Sequence, residues 1–195
     1  KGGQGGVAKV VGNGRKLDGR LNSIPSAFWR GSASLTSLML LGGQMSTVIC
    51  DRKRLLMAGD RQVEIAGNKV TVEKVFLKHD EESSPLLVGF VGSVENALLC
   101  IRWICSGSDP QKRPKELEDE EASFFVLTLN LEGKIVVYGV SCVGIEVVDD
   151  RYAAVGTGSS AALAAAHMGA SVAEAIKLAA EIDPYTGRGV TVVHF

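Results

Sequence analysis

From Ser46 onward the hydrophobic positions fall first into short runs with strand character. Residues 47–50 and 54–58 flank a charged turn at Asp51, Arg52 and Lys53, which predicts a hairpin. Residues 69–77 alternate in part, and 86–91 form the short apolar run that a buried strand shows. The period then lengthens. Behind Ser93 as a cap, Leu98, Ile101 and Ile104 share one face of a helix that stops at Gly107. Residues 108–121 form a charged loop containing Pro110 and Pro114, and 124–129 with 134–140 predict a second hairpin around 130–133. A strand at 152–155 runs into Gly156, Thr157 and Gly158 and then an alanine-rich helix at 159–167. Ser171 and Glu174 make a capping box for a helix to Ile182; Asp183, Pro184, Tyr185, Thr186 and Gly187 end it before a last strand at 190–195. Antiparallel hairpins with grouped helices predict an α+β layered domain rather than a doubly wound sheet.

Residues 1–45 do not join this pattern. They hold six of the 21 basic residues but one of the 22 acids, a charge of +5 against −6 for the remainder, and ten of the 23 glycines. This stretch reads as a basic Gly/Ser-rich extension, a pro-segment or a docking arm, in front of a domain over 46–195. The whole chain of 195 residues, 46% hydrophobic with a net charge of −1, is long enough to bury a sizeable core. It offers no electrostatic reason to bind nucleic acid and no apolar run of the roughly 20 residues that cross a bilayer. Cys50, Cys100, Cys105 and Cys142 lie in largely apolar surroundings without CxxC spacing, which suggests buried thiols in a reducing compartment. His79, His167 and His194 are remote from them in sequence, so no metal site is expected.

Ser46 opens the first strand where the extension meets the domain. A hydroxyl there becomes chemically interesting if the bond before it is cut, because the new α-amine can act as its general base. Six short segments then follow in order: Ser46-Thr47-Val48-Ile49, Met57-Ala58-Gly59-Asp60, Glu73-Lys74-Val75, Gly89-Phe90-Val91-Gly92-Ser93, Ala154-Val155-Gly156-Thr157-Gly158 and Asp183-Pro184-Tyr185-Thr186-Gly187. The series resembles the proteasome β-subunit family of N-terminal nucleophile hydrolases, above all the HslV-type bacterial peptidases and the short proteasome-like proteins of bacteria and their phages.

The resemblance spans 46–195 and implies a four-layer αββα sandwich that cleaves peptide bonds. By motif, Ser46 stands at the nucleophile, Asp60 at the acid closing the Ala-Gly-Asp segment, and Lys74 at the lysine that lowers the nucleophile's proton affinity. A cation beside a hydroxyl and an amine favours their deprotonated forms. Thr157 falls on the serine of the family's Gly-Ser-Gly turn, where a hydroxyl and nearby backbone N–H groups orient the amine and hold a developing oxyanion. Asp183 and Thr186 match the Asp and Ser of the segment that follows the last helix. The resemblance implies no metal or organic cofactor, a peptide or protein substrate, a homo-oligomeric ring, an ATPase or virion partner, and a cytoplasmic place in a bacterial or phage-infected cell.

The chain departs from the family in three ways. Serine replaces threonine at the nucleophile, which removes the methyl that restricts χ1. Met45, not glycine, precedes it, as if an initiator methionine stood before a small residue. The short 107–121 loop leaves little room for the second of two paired helices. The alternatives are a catalytically silent ring-forming protein, as in a phage particle, that uses 1–45 as an assembly arm, and an amidase acting on a small molecule.

Overall fold

The structure is a computed structural model that describes residues 9–10, 46–65, 68–80, 83–118, 123–139 and 142–195. The expected extension over 1–45 therefore lies outside the described residues except for one short strand, β1 (Lys9–Val10). Eleven further strands follow: β2 (Thr47–Asp51), β3 (Leu56–Asp60), β4 (Gln62–Ile65), β5 (Asn68–Thr71), β6 (Val75–Asp80), β7 (Ser83–Gly92), β8 (Phe124–Asn130), β9 (Ile135–Tyr138), β10 (Gly144–Val147), β11 (Tyr152–Gly156) and β12 (Val190–His194). The helices are α1 (Val94–Cys105), α2 (Ser159–His167) and α3 (Val172–Ile182).

Every strand pairing is antiparallel, in a six-stranded sheet ordered β1-β10-β9-β8-β7-β6, a four-stranded sheet ordered β11-β2-β3-β12, and the separate ribbon β4-β5. All five residues of β2 are buried, and the period of two explains why. Val48 and Cys50 pack with Leu87, Leu127 and Leu129 of the six-stranded sheet, whereas Ile49 packs with Ala175 and Ile176 of α3. A strand apolar on both faces shows a continuous apolar run, as its sequence does. In β7, Leu87 and Val91 join the cluster shared with the four-stranded sheet, while Val88 and Phe90 pack against Cys100 and Trp103 of α1. Between the sheets Gly89 leaves no space for a side chain: a Cβ there would lie 2.5 Å from Val48 Cγ1.

Local signals account for the helix ends. Ser93 Oγ accepts the Asn96 N–H at 3.4 Å, and Ser171 with Glu174 forms the reciprocal capping box at the start of α3. Several expectations need correction. The buried face of α1 is Ala97, Cys100, Ile101 and Trp103, with Leu98 on the solvent side, because the small side chains let the helix approach the sheet. Residues 69–77 are two strands, β5 and β6, broken at 72–74, and β4 and β10 carry no alternation strong enough to announce them. The 108–121 loop contains two 3-10 turns, with Leu117 tucked beneath α1, and no second long helix among the described residues. All four cysteines are free; Cys50, Cys100 and Cys142 are buried and Cys105 is half-buried. Burial pushes the Cys50 thiol up to about 12. No helix among the described residues is long and apolar enough to cross a membrane.

Candidate active site

Strand register gathers the predicted residues. Thr47 pairs with Gly156, Val48 with Gly59, and Val190 with Asp60. One edge of the four-stranded sheet therefore holds the start of β2, the end of β3, the turn after β11 and the turn before β12. Lys74 comes from the 72–74 break between β5 and β6, which is anchored by the Phe90 N–H on the Lys74 carbonyl at 3.1 Å.

The first group centres on Lys74. Ser46, Asp60 and Lys74 are all about fully buried, at 1%, 0% and 1% exposure. The Lys74 ammonium bonds Asp60 Oδ1 at 3.1 Å and Oδ2 at 3.2 Å, and also donates to Ser46 Oγ and to the Gln62 carbonyl. Ser46 Oγ in turn donates to the Gln62 carbonyl at 3.4 Å. Asp60 accepts three backbone N–H groups, from Thr47 at 2.8 Å, Gln62 at 3.0 Å and Gly187 at 3.2 Å. Burial pushes the Lys74 amine below the ordinary lysine range against the pull of the Asp60 charge. Burial likewise raises the Asp60 carboxyl, opposed by Lys74 and the three N–H donors. A lysine so placed favours the deprotonated form of the hydroxyl it touches.

The second group centres on Asp183. Its Oδ2 accepts the Thr157 hydroxyl at 2.5 Å and the Thr186 hydroxyl at 2.6 Å, while Oδ1 accepts the Tyr185 N–H at 3.1 Å. All six predicted residues are thus present in two adjoining groups. Two residues that the sequence did not single out join them. Thr47 gives its N–H to Asp60 and sets its hydroxyl 2.6 Å from that of Thr186. Gln62 bonds the Pro184 carbonyl through Nε2 at 3.2 Å, and its own carbonyl receives Lys74. Thr47 reads as one more strand residue, and a backbone carbonyl such as that of Gln62 has no sequence signal at all.

Gly156 has φ +103°, and a Cβ there would fall 1.9 Å from the Ser46 carbonyl oxygen, so only glycine fits. The Thr157 N–H donates to that same carbonyl at 3.1 Å, and the Gly158 N–H donates to Thr47 Oγ1 at 3.0 Å. Both amides of the turn are engaged within the chain. They hold Ser46 and Thr47 in place. Among the described residues no group of three or more His, Cys, Asp or Glu is placed to hold a metal ion. A cavity of about 280 Å³ lies at the other end of the four-stranded sheet, lined by Arg54, Arg151, Tyr152 and His167 among others.

No family model matches the chain, and no curated protein matches it. Solved structures do. HslV from Trypanosoma brucei is 20% identical, covers 75% of this chain and 97% of its own, with a TM-score of 0.57. Anbu, an ancestral β-subunit, from Yersinia bercovieri is 13% identical over 75% of this chain and 80% of its own, with a TM-score of 0.57. The helical assembly of the Anbu complex from Pseudomonas aeruginosa matches at 10% identity over 77% and 80% of the two chains, with a TM-score of 0.53. At such identities the likeness establishes architecture alone: this chain has a fold of the HslV and Anbu, or proteasome-like, type.

Proposed function

We propose that the protein is an N-terminal nucleophile hydrolase of peptide bonds, with Ser46 as nucleophile after the segment before it is removed. The observation that carries this reading is the buried Lys74 ammonium on Ser46 Oγ, backed by Asp60. The new Ser46 α-amine takes the hydroxyl proton as Oγ attacks the substrate carbonyl, and Lys74 keeps the proton affinity of both groups low. The amine then hands its proton to the leaving peptide nitrogen, which leaves an ester on Ser46. Water cleaves that ester, giving up a proton to the same amine, which returns it to Ser46 Oγ as the ester bond breaks and the second product leaves. Asp183, with Thr157 and Thr186, orients the amine.

In this reading residues 1–45 are a pro-segment or docking arm, and 46–195 form the hydrolase domain as a four-layer αββα sandwich. The order would be α1, the six-stranded sheet, the four-stranded sheet, then α2 and α3. A homo-oligomeric ring, served by an ATPase or housed in a virion, follows from the same reading, in a bacterial or phage-infected cell. One observation favours a second role, a silent building block with an assembly arm: β1 pairs with the edge strand β10, matching Lys9 to Glu146 and Val10 to Ile145. Strand addition to a free edge is how such arms dock.

Intact mass and N-terminal sequencing of the protein from its natural source test the choice. A chain beginning at Ser46 with amidase activity, lost in Ser46→Ala, is the expected result. A chain that keeps the preceding segment and is inert toward peptides refutes the hydrolase and leaves the building block.

A further inference from the structure

A nucleophile at the first position of a chain has a mechanical difficulty: chain ends fray, yet attack needs atoms held close to a fixed geometry. Once the bond before Ser46 is cut, nothing upstream restrains it. Beyond the Thr157 N–H on its carbonyl and the Lys74 ammonium on its hydroxyl, the restraint comes through the residue after it.

Thr47 is built for this. It is fully buried, and hydrogen-bond directions around it are determined by its partners. The Asp183 carboxylate only accepts, so Thr186 donates to Asp183, and Thr47 donates to Thr186. Thr47 Oγ1 then accepts the Gly158 N–H, while the Thr47 N–H is taken by Asp60. One side chain thus ties the nucleophile's strand to the Gly156–Gly158 turn, to the Asp183 group and, through its backbone, to the Lys74 group. The hydroxyl donates and accepts at once. Valine fills the same volume and can do neither.

We infer that Thr47 is a positioning residue that holds Ser46 in attacking register when Ser46 is the first residue, through a one-way chain from Gly158 to Thr47, Thr186 and Asp183. The inference rests on the hydrolase reading above.

The test uses the full chain with a site-specific protease sequence placed before Ser46, folded first and then cut. The rate at which a β-lactone acylates Ser46 is followed by intact mass, together with hydrogen exchange at the Gly158 amide. Thr47→Val, which removes two buried hydrogen bonds, is expected to slow acylation at least about tenfold and to speed Gly158 exchange. Thr47→Ser is expected to restore both to within about twofold, since a hydroxyl suffices. If Thr47→Val does not fold, Thr47→Ala is read in its place, with the same slowing expected. An acylation rate in the valine variant equal to that of the unchanged protein, or a serine variant as slow as valine, overturns the inference alone. Absence of any acylation in the unchanged cut protein overturns the hydrolase reading and this inference with it.

Discussion

The buried pair of Asp60 and Lys74 predicts an asymmetry that can be measured without knowing any substrate. Replacing Asp60 by Asn keeps the shape but removes the charge opposite Lys74. The ammonium is then left with neutral acceptors alone, the Gln62 carbonyl, Ser46 Oγ and the one oxygen of the new amide. The new amide must also turn an NH2 toward donors, because both Asp60 oxygens receive backbone N–H groups from Thr47, Gln62 and Gly187. Breaking one side of a buried pair costs about 3–5 kcal/mol, so Asp60→Asn is expected to lose about 4 kcal/mol. Lys74→Met leaves a carboxylate that still holds its three N–H donors, and the loss should be nearer 2 kcal/mol, since hydrogen bonds to a charged group are worth about 1.5–3 kcal/mol each. The double variant removes both charges. It should cost at least about 1 kcal/mol less than the two losses added, the signature of coupled sites.

Urea unfolding at pH 7, followed by circular dichroism with a common slope, reads all four proteins. Two outcomes would refute the reasoning: an Asp60→Asn loss below about 1 kcal/mol, or single losses that simply add. The pH dependence has a definite sign. With its amine lowered in the fold, Lys74 is protonated more readily in the unfolded chain, so stability should rise with pH from the folded value up to about 10.4, the free-lysine value. Lys74→Met should lack that rise.

Two further outcomes test other parts of the molecule. Gly156→Ala must force a Cβ into the Ser46 carbonyl at a left-handed φ, so it should destabilise the fold by at least about 2 kcal/mol and, if the protein is a hydrolase, sharply reduce turnover; a variant as stable as the parent in the same urea series would contradict the close approach. At the far end of the sheet, burial works against the Asp51 carboxylate, but the Arg151 fork at 2.7 and 3.0 Å and the N–H groups of Arg54 and Lys53 outweigh it and hold the group below its usual range. A carboxyl lowered in this way contributes stability above its unfolded value of about 3.9 and loses it as pH falls through the folded value. Arg151→Met should therefore shift acid unfolding to higher pH, and an unmoved midpoint would count against the fork.

Much of the candidate site was legible because its residues sit at punctuation in the chain. Ser46 stands just before the first clear strand, Asp60 and Gly156 end strands, and Asp183 caps the end of a helix, so each is marked by a local change of pattern. Lys74 was legible only through the motif around it, since the 69–77 pattern did not reveal the break that turns it inward. Thr47 and Gln62 escaped. Their contributions are a side-chain hydroxyl on a strand and a main-chain carbonyl, and both acquire meaning only when another segment folds against them.

The face of α1 shows the same division. Its cap at Ser93 and its length follow from local hydrogen bonding and could be read in the sequence, but which side is buried depends on how closely Ala97 and Cys100 let it approach β7 and β8. By itself the sequence determined the helices, most of the strands and their antiparallel grouping, because period, caps and turn residues act over a few positions. The tertiary structure decided that β4 and β5 stand apart as a ribbon and that Lys74, 28 residues from Ser46, lies on its hydroxyl. It also decided that the Thr157 and Gly158 amides face inward, onto Ser46 and Thr47. Those outcomes depend on long-range register and on excluding water from a charged pair, and neither is encoded in any short stretch of chain.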